Sequence, residues 1–263
     1  MINFIALTIF PEMFNLLWDY GIIRRGIEMN KISASAINIR DFAEGKHRVT
    51  DDRPYGGGCG MVMKPEPLAA AIRAAKNKAP SSKTILLTPQ GRVFNQEIAC
   101  ELSSFKGLIL VCGRYEGIDE RIYNDFIDYE ISTGDYVMTG GELAAMTIID
   151  AVARLVPGIL GSEDSAKNDS FSNGLLEYAQ YTRPKTFEGS EVPEVLLSGN
   201  HKKIEEWRLE TSLIRTFLKR KDLLEKKLIS KNEVEILKKW CRDIEKIIHS
   251  QSLLGSGTLS SSK

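Results

Sequence analysis

Short apolar runs alternate with amphipathic stretches along the first part of the chain. The runs are rich in β-branched residues and are bounded by polar residues, glycine or proline, which predicts buried strands at residues 4–10, 37–40, 84–88, 108–112 and 129–132. Apolar side chains three and four positions apart predict helices at residues 67–78, 95–103 and 141–156. Strands that alternate with helices favour a parallel α/β sheet.

The pattern changes after Gly161. Residues 162–174 are small and polar and show no apolar period, so they predict an exposed linker. Apolar spacing of three and four returns at residues 202–221, 222–229 and 232–249, which predicts a small helical domain. We therefore expect an α/β domain at 1–161, a linker at 162–174, a helical domain at 175–249 and a disordered Ser/Gly-rich tail at 250–263.

The charge is unevenly distributed, although the 35 basic and 35 acidic residues cancel. Residues 200–249 carry 14 basic and nine acidic side chains, whereas residues 1–199 have an acidic excess. A basic appendage on a catalytic domain is typical of polyanion binding, and a solvated Lys/Glu helix face has the same composition. Charge alone leaves both interpretations open.

The four cysteines, at positions 59, 100, 112 and 241, have neither the C-x-x-C nor the Cys/His spacing of a zinc site. We expect reduced thiols in a cytoplasmic protein, with no disulfide and no metal. The apolar N-terminal stretch lacks the basic start of a signal peptide. Asp150, Arg154 and Pro157 interrupt the apolar stretch at 143–160, which argues against a membrane span.

Glycines cluster at residues 56–60, at 91, at 113–117 and at 134–141. Three of these clusters follow predicted strands, where ligands bind in parallel α/β sheets. The sequence has no G-x-x-x-x-G-K-[ST] motif and no G-x-G-x-x-G after a strand, so the common nucleotide fingerprints are absent. The clusters form either tight turns or a ligand site that the backbone approaches closely, and their placement favours the ligand site.

Seven longer motifs occur in order: DDRPYGGGCGM at 51–61, LTPQGRVFNQ at 87–96, LVCGRYEGIDER at 110–121, ISTGDYVMTGGELAAM at 131–146, NDSF at 168–171, YTRP at 181–184 and LLSGNH at 196–201. On these motifs the chain resembles the bacterial tRNA (guanine-N1)-methyltransferase family of the SPOUT superfamily. Three residues depart from the family pattern: Cys59 replaces proline or alanine, Thr133 a bulkier apolar residue, and Ala144 a proline. All three are small, so they bear on the fine geometry of a cofactor site.

The resemblance implies a fold and an activity. The fold is a trefoil-knotted, parallel-sheet α/β domain, followed by a small helical C-terminal domain that binds the anticodon arm of tRNA. The activity is methyl transfer from S-adenosylmethionine (AdoMet) to N1 of guanosine 37, next to the anticodon, when another guanosine precedes it. A homodimer with a composite active site is also implied, while a role for Mg²⁺ stays open.

Site residues follow from the same resemblance. Asp169 is implied as the general base that removes the N1 proton, and Arg154 as the group that stabilises charge on O6 and orients Asp169. The cofactor is expected to lie on Pro89, Gly113, Tyr115, Glu116, Thr133, Gly134, Asp135, Tyr136, Val137, Met138, Gly140 and Gly141. Candidate RNA contacts are His47, Arg48, His201, Lys202, Arg208, Arg215 and Arg220.

Two other classes of function are alternatives. A nucleotide-dependent oxidoreductase or kinase on a doubly wound fold is disfavoured because its phosphate-binding motifs are absent. A non-catalytic RNA-binding module fits the basic C-terminal part but leaves the glycine loops after the strands unexplained. A labelled-cofactor binding panel and turnover with AdoMet distinguish these alternatives from a methyltransferase.

Overall fold

The structure, a computed structural model, describes residues 1–161 and 169–256, with side chains up to residue 249. The chain divides into two compact units, Met1–Ala166 and Lys167–Lys263, called here the first unit and the second unit. The predicted linker at 162–174 spans this division. Its residues 162–168 lie outside the described residues, and residues 169–174 form turns and bends.

A five-stranded sheet forms the centre of the first unit, in the order β2-β1-β6-β5-β7. Every pair in it is parallel, which confirms the predicted parallel α/β sheet. A separate two-stranded antiparallel pair, β3 with β4, brackets the glycine cluster at 56–60. The strands are β1 (Ile2–Thr8), β2 (Ile32–Asn38), β3 (Asp51–Asp52), β4 (Val62–Met63), β5 (Lys83–Val93), β6 (Gly107–Cys112) and β7 (Tyr129–Ser132).

Helices cover both faces of this sheet. Side chains alternate along β1, so that Phe4 and Ala6 belong to one apolar core while Ile5 and Leu7 belong to the other. The first core is closed by α2, α4 and α6, and the second by α3 and α5. The helices are α1 (Asn15–Trp18), α2 (Gly21–Glu28), α3 (Pro65–Lys78), α4 (Gln96–Ser103), α5 (Arg121–Phe126) and α6 (Glu142–Ala153), with 3₁₀ turns at Pro11–Phe14 and Ile39–Phe42.

The second predicted strand, at 37–40, was wrong in position. Strand β2 begins at Ile32 and ends at Asn38, and the chain then enters a 3₁₀ turn in which the Asn38 side chain accepts a hydrogen bond from the N–H of Arg40. The sequence ISASAIN has few large apolar residues because β2 is an edge strand, paired with β1 alone among the described strands. Its apolar signal is therefore weak.

The second unit contains a short hairpin and four helices within its described part. Its elements are β8 (Thr186–Phe187), β9 (Ser190–Glu191), α7 (Glu194–Leu197), α8 (His201–Lys219), α9 (Lys221–Lys226) and α10 (Lys231–Ser256). Asn200 caps α8 by accepting from the N–H of Lys203. The indole of Trp240 donates to Glu210 at 3.0 Å, which joins α10 to α8.

The last helix is longer than the sequence analysis predicts. Helix α10 continues to Ser256, whereas a disordered tail was expected from residue 250. The sequence has no proline or glycine between Lys231 and Leu254, so nothing local ends the helix before Gly255. Disorder of residues 257–263, which lie outside the described residues, stays a prediction.

Candidate active site

A cavity of about 340 Å³ lies at the carboxyl ends of β5, β6 and β7 in the first unit. Three segments line it: residues 86–90 within β5, and the stretches at 113–118 and 131–141 around the ends of β6 and β7. Its walls combine apolar side chains such as Leu87, Ile118 and Ile131 with glycine backbone and with the polar side chains of Tyr115 and Glu116. The loops that follow parallel strands thus meet at one edge of the sheet, as expected for a ligand site.

The cavity gathers most of the residues predicted to hold a cofactor. In the described part of the chain, only Asp135 of that set does not line it. Two of the three departures from the family pattern, Thr133 and Ala144, also border the cavity, whereas Cys59 is exposed on the glycine loop. The residues brought together are Pro89, Gly113, Tyr115, Glu116, Thr133, Gly134, Tyr136, Val137, Met138, Gly140 and Gly141.

An irregularity between β5 and β7 forms one rim of the cavity. Leu87 and Arg92 both pair with Ile131, so residues 88–91 bulge out of the ladder. A Cβ atom on Gly91 would collide with the backbone of Glu130 and Ile131, so only glycine lets β5 pass this close to β7. The bulge carries Pro89 to the cavity wall.

Gly141 contacts protein backbone at the start of α6. Its N–H donates to the carbonyl of Gly113 at 2.9 Å, and an added Cβ would lie 2.9 Å from Cα of Cys112. From the sequence, this glycine is expected on the cofactor surface. The structure shows that its missing side chain is also required for α6 to pack against the end of β6.

The loop after β6 is held by backbone hydrogen bonds to residues 61–63. The N–H of Glu116 donates to the carbonyl of Met61, and the N–H of Met63 donates to the carbonyl of Gly117. Tyr115 has a left-handed φ of 61°, which turns the chain back toward these partners. A Cβ on Gly60 would collide with the Glu116 side chain, so the glycine cluster borders a polar wall of the cavity.

A buried ion pair, which the sequence analysis missed, lies behind this wall. Arg114 donates a hydrogen bond to Glu142 from Nε at 3.0 Å, and its Nη2 forms an ion pair with the same carboxylate oxygen at 2.9 Å. Thr8 donates to the other carboxylate oxygen of Glu142 at 2.7 Å. The available sequence signal was an acidic residue at the start of an otherwise apolar helix. Burial raises the pKa of the nearby Cys112 thiol well above its usual range, and the Glu142 carboxylate adds to that effect.

Tyr123 and Thr88 form a second polar pair that the sequence analysis missed, and both line the cavity. Burial raises the pKa of the Tyr123 phenol, while a hydrogen bond with the Thr88 side chain acts in the opposite direction. The pair joins α5 to the bulge of β5. No motif pointed to it, because the two residues come from elements that meet only in the folded sheet.

The predicted catalytic residues belong to different units. Arg154 is the C-cap of α6 in the first unit and is half-buried. Asp169 is half-buried in a turn of the second unit, where its carbonyl accepts from the N–H of Ser172 at 3.2 Å. Their joint action on a substrate stays a prediction.

Comparison with known proteins decides the family. The sequence profile of the family described as tRNA (Guanine-1)-methyltransferase TrmD matches residues 2–226. The chain belongs to this family. A protein named tRNA (guanine-N(1)-)-methyltransferase from Desulfatibacillum aliphaticivorans is 55% identical over 98% of both chains. Proteins of the same name from Syntrophotalea carbinolica and Dictyoglomus turgidum are 53% and 52% identical, over 92% and 93% of this chain and 98% of theirs.

The candidate RNA contacts of the second unit lie mainly on α8. His201, Arg208 and Arg215 are seven positions apart and therefore follow one stripe of the helix, with Lys202 beside them. The Arg208 guanidinium lies 4.8 Å from the ring centre of Tyr178. Arg220 differs, because it forms a two-point ion pair with Asp222 at 2.9 and 2.8 Å.

The candidate RNA contacts of the first unit lie in an exposed segment between β2 and β3. His47 and Arg48 are both exposed, and Arg48 pairs with Asp41 at 2.7 Å. Their role in RNA binding stays a prediction. Among the described residues, no group of three or more His, Cys, Asp or Glu side chains is suited to hold a metal ion, and no helix is long and apolar enough to cross a membrane.

Proposed function

We propose that this protein methylates N1 of guanosine 37, immediately 3′ of the tRNA anticodon, in tRNAs where a guanosine precedes it. AdoMet is the proposed methyl donor. Membership of the tRNA (guanine-1)-methyltransferase family supports the reaction class. The observation that carries the donor assignment is the convergence of three separate chain segments on one cavity. The cytoplasm, predicted from the cysteine usage, is the proposed place of action.

The cavity fits a ligand of this size and chemistry. Its volume of about 340 Å³ falls within the range of small-molecule sites, roughly 300 to 1,000 Å³. Gly113 leaves room at its wall for the close approach of an adenine edge, because an added Cβ there would come no closer than 3.7 Å to any atom beyond its chain neighbours. Glu116 supplies a carboxylate for the ammonium group of the donor's amino acid part. Leu87 and Ile131 supply apolar surface for the ring.

Proton removal is the chemical problem that the protein must solve. N1 of guanine carries a proton at neutral pH and is not nucleophilic until it is lost. We propose that the Asp169 carboxylate takes this proton, so that the N1 electron pair forms the new bond to carbon. When bound, AdoMet supplies a methyl group on a positively charged sulfur, which keeps the electron pair of the broken bond. The Arg154 guanidinium stabilises negative charge on guanine O6.

A homodimer with a composite active site is part of the proposal. The cavity belongs to the first unit, while Asp169 belongs to the second, and the family resemblance assigns the two contributions to different copies. Large apolar side chains are exposed beside the cavity end of the sheet in the first unit, including Phe10, Met13 and Leu143. Contact with a second copy would remove them from water.

The trefoil knot implied by the resemblance remains a proposal for the first unit. It concerns the chain from β5 to α6, whose segments at 86–90, 113–118 and 131–141 line one cavity. Knots are rare in proteins, so one here requires a specific reason. A cofactor site built from three converging segments supplies one.

Methyl transfer to defined transcripts tests the proposed function. The purified full-length protein is incubated with labelled AdoMet and tRNA transcripts that carry G36-G37, a G37→A change or a G36→A change. We expect label in the G36-G37 transcript, at N1 of guanosine 37, and none in the G37→A transcript. Transfer to another position, or labelling that ignores G37, would overturn the assignment. Repeating the assay with a chelator decides whether Mg²⁺ takes part.

A further inference from the structure

The carboxylate of Glu142 is the most deeply buried ionised group near the cavity within the described residues, with 1% of the residue exposed. It is the first residue of α6, yet it does not appear on the cavity surface in the described part of the chain. Both of its oxygens accept hydrogen bonds, from Thr8 at the end of β1 and from Arg114 in the loop after β6. A buried carboxylate with two such partners is stable only if both stay in place.

Arg114 connects this carboxylate to two walls of the cavity. Its Nη1 donates to the carbonyl of Thr139 at 3.2 Å, and its backbone forms an antiparallel bridge with Gly140. Its guanidinium carbon lies 4.6 Å from the ring centre of Phe10. Arg114 and residues 139–141 all line the cavity. Arg114 therefore ties the loop after β6, to which it belongs, to the loop before α6 through both its side chain and its backbone.

The orientation of Arg114 depends on Glu142. A guanidinium presents its donors in a rigid plane, so the hydrogen bond from Nε and the ion pair from Nη2 to Glu142 leave Nη1 directed at Thr139. Thr8 fixes the carboxylate itself, because its hydroxyl donates to Oε1 and accepts from the N–H of Phe10 at 2.9 Å. Removal of the carboxylate charge would leave Arg114 free to turn away from the loop at 139–141.

We propose that Glu142 is a positioning residue for the methyl donor: acting through Arg114, it holds the loops at 113–115 and 139–141 at the spacing that AdoMet binding requires. This inference rests on the proposed function, because it takes AdoMet as the ligand of the cavity. Glu142 itself touches neither the donor nor the reacting atoms. Its effect on the reaction is expected in donor binding and not in the chemical step.

The test compares Glu142→Gln with wild type by calorimetric titration of AdoMet and by methyl transfer at saturating tRNA. Glutamine keeps the shape but removes the charge that orients Arg114. We expect the dissociation constant of AdoMet to rise about tenfold or more, since hydrogen bonds to charged groups contribute that much. With saturating AdoMet, the single-turnover rate should return to near that of wild type.

Two threonine variants provide a matched comparison. Thr8→Val removes the hydroxyl that fixes Glu142 and should weaken AdoMet binding in the same direction, by a smaller factor. Thr84→Val makes the same chemical change at another buried threonine of the sheet, whose hydroxyl has no hydrogen-bond partner in the described part of the chain. It should leave AdoMet affinity unchanged. If Glu142→Gln does not fold, Thr8→Val against Thr84→Val still decides the proposal.

Hydrogen exchange separates this inference from the proposed function. In the ligand-free protein, the Gly141 amide, bonded to Gly113, should exchange faster in Glu142→Gln than in wild type, while amides between β1 and β2 should not change. If wild type fails to bind AdoMet but this exchange difference is seen, the proposed function fails and the loop positioning stands. A variant that melts earlier but has unchanged AdoMet affinity and Gly141 exchange would overturn the positioning role.

Discussion

Gly141 and Gly113 are joined by a hydrogen bond of 2.9 Å from the N–H of one to the carbonyl of the other. The two glycines come from different loops of the same cavity, and the space around them differs. An added Cβ on Gly141 would meet the backbone of Cys112 at 2.9 Å, whereas one on Gly113 would have only ordinary contacts of 3.7 Å or more. Gly141 is needed for packing, whereas Gly113 leaves room beside the cavity.

Substitution of these two glycines should therefore have different effects. Gly141→Val should destabilise the fold by roughly 1 to 3 kcal/mol or more, because backbone must move to admit the side chain. Gly113→Ala should melt near wild type but bind AdoMet less tightly. Thermal unfolding and AdoMet titration measure the two effects. Gly161→Ala, with no atom within 4 Å of the added Cβ, is the control. A Gly141→Val variant with wild-type melting would contradict the packing role.

Asp169→Asn should abolish methyl transfer while AdoMet and tRNA still bind. Asparagine keeps the shape of aspartate but cannot take the N1 proton, and a positioned general base contributes about 10²- to 10⁴-fold. Single-turnover rates across a pH series measure the loss, and the rise of rate with pH that is expected for wild type should be absent from the variant. Asp243→Asn, an exposed acid of the same unit, is the control. A near-normal rate in Asp169→Asn would show that the proton leaves by another route.

Complementation tests whether two copies build one active site. An Asp169→Ala chain is co-expressed with a Gly113→Leu chain, whose added side chain fills the cavity. Random pairing of a composite dimer leaves roughly a quarter of the sites with both contributions intact, so about that fraction of wild-type activity should return. Each variant alone should be inactive. If mixing restores nothing, or if a fully active monomer is found on sizing, the site belongs to a single chain.

The basic stripe of α8 should determine the salt dependence of tRNA binding. Arg208→Gln and Arg215→Gln should each reduce the slope of log K against log salt by about 1, because one phosphate contact and its released counterions are lost. Arg220→Gln should change the slope less, since Asp222 already pairs with that guanidinium. Filter binding between low and moderate salt gives the slopes. Equal slopes for wild type and all three variants would identify the stripe as a solvated face.

Glu233 should make the stability of the second unit sensitive to acid. Burial opposes its ionisation, but hydrogen bonds from the N–H and hydroxyl of Ser230 and the ion pair with Lys227 outweigh burial and lower its pKa. A pKa below the unfolded value of about 4.3 stabilises the fold above that pH, and the benefit is lost as pH falls through the folded value.

Glu233→Gln should consequently reduce the free energy of unfolding by roughly 1 kcal/mol at pH 7. The difference from wild type should shrink as the pH falls through the lowered pKa of Glu233, because the protonated carboxyl is then neutral like glutamine. Denaturant unfolding at several pH values, followed by the fluorescence of Trp240 on the same helix, checks this. Glu235→Gln, an exposed acid two positions away, should show no such trend. A constant difference between wild type and Glu233→Gln across this range would rule out the linkage.

Local sequence patterns were enough to place four of the five strands of the central sheet and the helices α3, α4 and α6, whereas α1, α2, α5 and the β3–β4 pair were not predicted. Strand β7 spans the predicted residues 129–132, and α4 begins after Asn95, whose side chain accepts from the N–H of Ile98 at 2.9 Å. Strand alternation and helix capping depend on neighbours a few positions away, so the sequence alone specifies them. The convergence of the glycine loops was also predictable, because the carboxyl ends of parallel strands share one edge of a sheet.

Tertiary structure alone decided which distant side chains meet. Thr8 and Glu142 are 134 positions apart, and their hydrogen bond exists because α6 packs over the end of β1. The two roles of Gly141 and the bulge at 88–91 likewise depend on the strand order β6-β5-β7. No local period encodes that order, since it is set by which apolar faces of the whole chain can be buried together. The family motifs indicated the reaction. Only the fold showed which residues contact the loops of the cavity.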